Sequence, residues 1–138
     1  MEYKKLGEVA FFSDLRTKNI NLETYISTEN MLPRRGGVCV ASSIPESKTA
    51  SKYEQFDILL SNIRPYFKKI WYANYEGSCS NDVLVLKAQD IDSEFLYYVL
   101  SDDNFFNYAT VTSKGTKMPR GSKSAIMKYL VPNISLPL

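Results

Sequence analysis

With 138 residues, 44% of them hydrophobic and 13% aromatic, the chain can bury one sizeable core, and a single domain spanning residues 1–138 is the expectation. No apolar run reaches the eighteen residues of a membrane span and none follows residues 1–5 as a signal peptide would, so the expected location is the cytoplasm, with no membrane partner. The net charge of +2 names no partner, but its distribution is uneven: Lys114, Lys117, Arg120, Lys123 and Lys128 fall in a stretch without an acid, whereas Asp90, Asp92, Glu94, Asp102 and Asp103 fall in one without a base. Such a two-signed molecule could turn one surface toward phosphates, or could carry clustered, solvated charge and nothing more.

Taken in order, residues 3–12 (YKKLGEVAFF) read as a strand or a turn leading into one, and residues 14–21 as a polar loop. Residues 24–27 suggest a short strand. The next stretch, Leu32-Pro33-Arg34-Arg35-Gly36-Gly37, pairs glycines that permit positive φ with two arginines. It is either a loop touching phosphates or an ordinary turn with surface arginines. Residues 38–41 form another candidate strand, and residues 42–53, rich in Ser, Lys and Thr, an exposed loop.

The centre of the chain, residues 56–88, reads as three strands. Ile58-Leu59-Leu60, residues 70–75 and residues 83–86 are apolar, aromatic or β-branched and suit a largely buried pleated surface. Arg64-Pro65 ends the first, because proline offers no ladder donor and biases its predecessor away from helix. Ser93 as cap, Glu94 in the first turn and the stripe Phe95, Leu96, Tyr98, Val99, Phe105 and Phe106 predict a main helix near residues 93–108, with Asp102-Asp103-Asn104 able to end it early or divide it. Residues 113–124 (SKGTKMPRGSKS) form a basic loop, residues 123–128 hold a helical turn, and residues 129–134 return as a strand whose Pro132 marks an edge. The fold class expected is mixed α+β (α/β), with a twisted mixed or antiparallel sheet and long basic loops.

Several chemistries lack their residues. There is no phosphate-binding glycine loop and no dinucleotide fingerprint. Histidine is absent, so the two cysteines, Cys39 and Cys79, cannot complete a zinc site or form the usual nucleophile–base pair, and both are expected as buried free thiols. Asp57 and Asp82 flank strands, but Val85 stands two residues before Lys87, where a metal-dependent nuclease needs an acid. Asn62-Ile63-Arg64-Pro65-Tyr66 shares only its ends with the Asn-Pro-Pro-Tyr loop of amino-methyltransferases. No cofactor and no small-molecule ligand are expected.

What remains is a pattern of basic, amide and aromatic groups on loops, suited to duplex DNA: Lys and Arg neutralise phosphates, while Asn and Arg can pair with base edges. The candidates for phosphate or guanine are Arg34, Arg35, Arg64, Lys68, Lys69, Lys114, Lys117, Arg120 and Lys123, and those for amide or hydroxyl contacts are Asn30, Asn62, Thr116 and Ser122. Tyr66 lies among them, while Phe67 and Trp71 read as core and Arg64 has a salt bridge as its bland alternative. A protein-interaction module docking its aromatic surface on another subunit is the competing class.

Three ordered stretches carry a resemblance beyond these patterns: residues 25–31 (YISTENM), residues 57–70 (DILLSNIRPYFKKI) and residues 79–85 (CSNDVLV). Together with the opening Lys5-Leu6-Gly7-Glu8-Val9 and the loop at residues 114–121, they resemble the target-recognition domain of the DNA-specificity subunit of type I restriction-modification systems over nearly the whole chain. The resemblance implies a non-catalytic mixed α/β domain that reads one half of a split double-stranded DNA target for partner methyltransferase and restriction/translocase subunits. It also implies reading residues in the loop after Ile26, in residues 62–69 and in residues 114–123. Such a subunit has two such domains joined by long helices that dock the partners; residue 138 falls where the first helix would begin, so a single domain with weak DNA affinity is expected. The recognition segment of a fused restriction-methylation enzyme would carry the same DNA chemistry.

Overall fold

The computed structural model describes residues 2–132. In chain order these form β1 (Tyr3–Lys5), α1 (Leu6–Val9), β2 (Ala10–Phe12), β3 (Arg16–Thr17), β4 (Ala50–Tyr53), β5 (Ile58–Ser61), a 3-10 turn (Pro65–Phe67) and β6 (Ile70–Tyr72). Then follow β7 (Gly77–Cys79), β8 (Val83–Ala88), α2 (Ser93–Leu100), α3 (Asp103–Val111), α4 (Lys123–Ile126) and β9 (Leu130–Pro132). The mixed α+β class read from the sequence holds, with the named strands in three antiparallel sheets of order β2-β8-β5-β6, β3-β4-β7 and β1-β9.

The four-stranded sheet explains why β5 and β8 are apolar at successive residues. Ile58, Leu60, Leu84 and Leu86 face one core, which α2 and α3 complete with Leu96, Leu100, Phe105 and Phe106. Leu59, Val83 and Val85 face the other, with Ile26, Met31, Tyr53, Trp71 and Cys79. A sheet covered on both sides has no polar face, so alternation disappears from its inner strands. Each fully buried Leu or Ile contributes about 1.5–3 kcal/mol relative to exposure.

Tyr53 joins the three-stranded sheet to that second core. Its ring is fully buried edge-on against Trp71 at 5.5 Å between centroids, and its hydroxyl donates to the Thr24 carbonyl at 2.5 Å. Gly77, the cross-strand partner of Tyr53, lies so close that a Cβ there would stand 2.6 Å from the Tyr53 hydroxyl and 2.7 Å from Thr24. Beneath the same layer, Lys87 Nζ donates to Glu54 at 2.6 Å and to Asp57 at 2.9 and 3.0 Å, while Asp57 Oδ2 accepts from the Glu54 amide.

The helix expected near residues 93–108 is two. Asp92 caps the first by accepting from the Phe95 amide at 2.8 Å, and Asp102 caps the second by accepting from the Asn104 amide at 3.0 Å, which restarts the helix instead of continuing it. Other expectations are corrected. Residues 24–27 and 38–41 are not strands but contribute single bridges, Ile26 to Cys79 and Val38 to Met31. The loops expected at residues 14–21 and 42–53 contain β3 and β4, whose buried Ala50 and Tyr53 lie at the two ends of a polar-looking segment. Cys39 is exposed, not buried. Among the described residues the closing strand β9 pairs only with β1, consistent with an edge at Pro132; residues 133 and 134 of the expected strand lie outside the described residues.

Candidate nucleic-acid interface

Three loops far apart in the chain meet at the end of the four-stranded sheet where β5 finishes and β6 and β8 begin. The Arg64 amide donates to the Pro119 carbonyl at 2.7 Å and the Gly121 amide to the Asn62 carbonyl at 3.0 Å, so residues 62–64 and 119–121 form a short bridged pair. On the other side the amides of Arg34 and Arg35 donate to the carbonyls of Phe67 and Lys68 at 2.8 and 2.7 Å. Between these segments lies an open cleft of about 420 Å³, walled by Thr28, Ser61, Arg64, Phe67, Lys69 and Arg120 among others.

The backbone here is unusual. Arg34, Arg35, Arg64 and Lys68 all have left-handed φ, between 50° and 61°. Non-glycine residues pay steric energy in that region and hold it only where neighbours over-determine the chain, as the four cross-loop hydrogen bonds do here. Arg64 and Lys68 bracket the 3-10 turn, which buries Pro65 and turns Tyr66 and Phe67 outward. Their rings stack at 4.9 Å, each more than two-fifths exposed.

The cations divide into tethered and unpaired. Arg35 and Lys68 both bond Asp103 Oδ1, at 3.0 and 2.8 Å, and hydrogen bonds from Lys68 and then Arg35 hold that carboxyl below its ordinary range. Lys69 Nζ donates to the Thr28 carbonyl at 2.6 Å and lies 5.6 Å from the Phe67 ring centre. Arg120 pairs loosely with Asp82 at 3.4 Å. Arg34, Arg64, Lys114 and Lys117 have no carboxylate partner among the described residues. The salt bridge weighed for Arg64 is therefore absent there. Lys114 and Arg120 close a small hairpin through two backbone bonds of 2.9 and 2.8 Å, with Gly115 at φ 100°, and Thr116, Lys117 and Met118 are exposed at its tip.

Two sequence candidates have internal work instead. Asn30 is buried, its Oδ1 accepting from the Ser27 amide and hydroxyl and its Nδ2 donating to the carbonyls of Tyr25 and Cys39. That accounts for both ends of its amide, so it holds the 25–39 loop in shape. Ser122 caps α4 by accepting from the Ala125 amide at 3.3 Å, and Lys123, in the first turn of that helix, borders a separate cavity with Ser13, Ser51 and Asn81. Asn62 belongs to the cleft region but directs its Oδ1 inward, where that atom has no partner among the described residues and approaches Gly121. Phe67 and Met118 were missed as candidates. Phe67, expected in the core as a large aromatic, is exposed; the readable signal is Pro65, whose tight turn gives successive side chains different directions.

No cluster of side chains able to hold a metal ion occurs among the described residues. What the cleft offers is three cations, Arg64, Lys69 and Arg120, the hydroxyls of Thr28 and Ser61, the carboxylates of Glu29 and Asp82, and Phe67 of the stacked aromatic pair.

No family model matches the chain. Its sequence is 28% identical over 96 residues, 68% of this chain, to the specificity subunit of the type I restriction enzyme EcoDI from Escherichia coli, of which it spans 21%. Its fold is similar to that of the HsdS subunit from Thermoanaerobacter tengcongensis, with a TM-score of 0.70 at 20% identity over 95% of this chain and 37% of that one. It is similar also to the S subunit of a type I restriction-modification system from M. genitalium, with a TM-score of 0.61 at 13% identity over 94% of this chain and 33% of that one. The chain thus spans about a fifth of the curated relative and about a third of the solved subunits. The resemblance carried by the three sequence motifs is found again in overall sequence and in fold.

Proposed function

We propose that this chain is a target-recognition domain: a non-catalytic module that binds double-stranded DNA and reads one half of a bipartite sequence for the methyltransferase and restriction/translocase subunits of a type I restriction-modification complex. The observation that carries the reading is that backbone hydrogen bonds join the 34–35, 62–69 and 114–121 segments beside one open cleft lined by Arg64, Lys69 and Arg120, while Arg34, Arg64, Lys114 and Lys117 have no carboxylate partner among the described residues. Phosphate contacts set position and base contacts set sequence, so Lys117 and Lys114 at the exposed hairpin act on phosphates, whereas Arg64, held rigidly beside the cleft, reads a base edge. In the assembled complex the module works in the cytoplasm.

A docking surface for another protein would fit basic loops that diverge and buried Tyr66 and Tyr72. Tyr72 is half-buried against the core, but the loops meet and Tyr66 is exposed at their junction, which favours DNA. The test is duplex binding across a salt titration. Binding should weaken steeply with salt, Lys117→Ala should lower the slope of log Kd against log salt by about one on every sequence, and Arg64→Ala should cost about 1–3 kcal/mol on the cognate half-site only. Duplex binding at low salt that is unchanged by both Lys117→Ala and Arg120→Ala would remove the hairpin from the interface.

A further inference from the structure

Beside the cleft stands an arginine that the reading above does not use. Arg16, on β3, is exposed, yet its guanidinium is fixed by three neutral oxygens: Nη1 donates to Asn81 Oδ1 at 2.8 Å and to Ser51 Oγ at 3.2 Å, and Nη2 to Thr49 Oγ1 at 3.0 Å. No carboxylate pairs with it among the described residues. Surface arginines commonly spend their charge on an acid or leave it on a freely moving side chain. This one is immobilised with its charge uncompensated, and two of its five N–H donors remain for a partner with paired oxygens.

Its position is as telling as its bonding. Asn81, which holds it, is adjacent to Asp82, whose carboxylate faces Arg120 and whose carbonyl accepts from the Asn62 amide at 2.8 Å. The turn between β7 and β8 is therefore a shared wall, with the cleft on one side and Arg16 on the other. On the Arg16 side, Ser51 and Asn81 line a cavity of about 230 Å³ together with Ser13 and Lys123, a basic residue that does not line the main cleft.

We propose that Arg16, held by Thr49, Ser51 and Asn81, is a second anchoring point that binds a backbone phosphate of the duplex lying in the cleft, with Lys123 on the cavity that Ser51 and Asn81 line. The proposal rests on the DNA-binding reading and extends it: Arg16 is a positioning residue, sequence-independent, that sets where the duplex runs as it leaves the cleft. The three neutral acceptors pre-arrange the guanidinium, so little side-chain freedom is lost when the phosphate arrives.

The test compares the wild-type chain with Arg16→Gln and with Asn81→Asp, using short duplexes of unrelated sequence across a salt titration. Asn81→Asp leaves Arg16 in place but sets a carboxylate against it. Both variants should lower the slope of log Kd against log salt by about 0.9, the share of one phosphate, and weaken all duplexes by the same factor. Asn81→Ala, which loosens Arg16 without neutralising it, should keep the wild-type slope. A wild-type slope in Arg16→Gln and Asn81→Asp, beside a lowered slope in Lys117→Ala, would reduce Arg16 to a cross-link between β3 and the β7–β8 turn and leave the cleft assignment standing. Salt-independent binding by the wild-type chain would instead end the DNA reading itself. Inorganic phosphate is the other source of the same chemistry: if it saturates the Arg16 guanidinium signal in NMR while the variants keep the wild-type duplex slope, the seat is for a free ion and not for DNA.

Discussion

The amide of Arg64 donates to the carbonyl of Pro119 at 2.7 Å, and this bond fastens two loops with no neighbourhood in sequence into one rim. Both residues sit where side-chain chemistry is dispensable to the bond, so the rim survives substitution of the cations it displays. That separation of scaffold from display lets loop residues vary their reading without unmaking the cleft.

Gly121 is the point at which the rim is most vulnerable. A Cβ there would lie 2.8 Å from Asn62 Oδ1 and 3.3 Å from the Ile126 side chain. Gly121→Ala should push the 114–121 hairpin off residues 62–64, costing about 1–3 kcal/mol of stability as an overpacked site does. Thermal unfolding measures the first effect. Duplex affinity should fall in the same variant with every individual cation still present.

Arg64 holds φ 50°, where glycine is at ease and arginine is not. Arg64→Gly should leave the melting temperature unchanged or raise it, the relief of left-handed strain offsetting the added freedom of the unfolded chain to within about 1 kcal/mol. Arg64→Ala keeps the strain and should gain nothing. Both should lose cognate DNA affinity, and a melting curve beside a binding isotherm separates the two effects.

Asp103 holds Arg35 and Lys68 by a single oxygen. Asp103→Asn should release both cations, tighten low-salt duplex binding and steepen its salt dependence. The pH dependence has a definite sign: because the folded carboxyl titrates below its ordinary value of 3.8, the contact is complete above that value and is lost as pH falls through the lowered one. Between about pH 5 and 8 this group should leave stability flat.

Lys87 neutralises Asp57, whose side chain is almost wholly buried. Lys87→Met should destabilise the chain by about 3 kcal/mol, near the low end for breaking a buried pair, because the Asp57 charge is left without its partner. Denaturant unfolding at neutral pH measures it. The loss should shrink in Lys87→Met combined with Asp57→Asn, since the amide oxygen can still accept from the Glu54 backbone.

The central strands were legible because continuous apolar runs at Ile58-Leu59-Leu60 and Val83-Leu84-Val85-Leu86 admit few environments other than a sheet covered on both faces. The division of the helix was legible in outline, since Asp102 is as good a cap as Asp92. β4 was not, because its hydrophobicity lies only at Ala50 and Tyr53 and the polar pair between them is half-buried by partners distant in sequence. Asn30 shows the same limit in the site: an amide that suits base recognition is equally suited to satisfying four groups of a tight loop, and only the folded loop decides between them. The left-handed φ at Arg34, Arg35, Arg64 and Lys68 leaves no mark in residue type at all, because the long-range hydrogen bonds that impose it override local preference.

The two thiols differ sharply in chemical accessibility. Cys79 lies fully buried, and burial pushes its thiol up to about 12, whereas Cys39 stands exposed on the loop that Asn30 braces, its amide bonded to the Asn30 carbonyl at 2.9 Å. A thiol-reactive dye at neutral pH should therefore label the native chain once, at Cys39, without any engineered substitution. The protein thus carries its own attachment point for a fluorescent reporter, on the segment that follows Arg34 and Arg35.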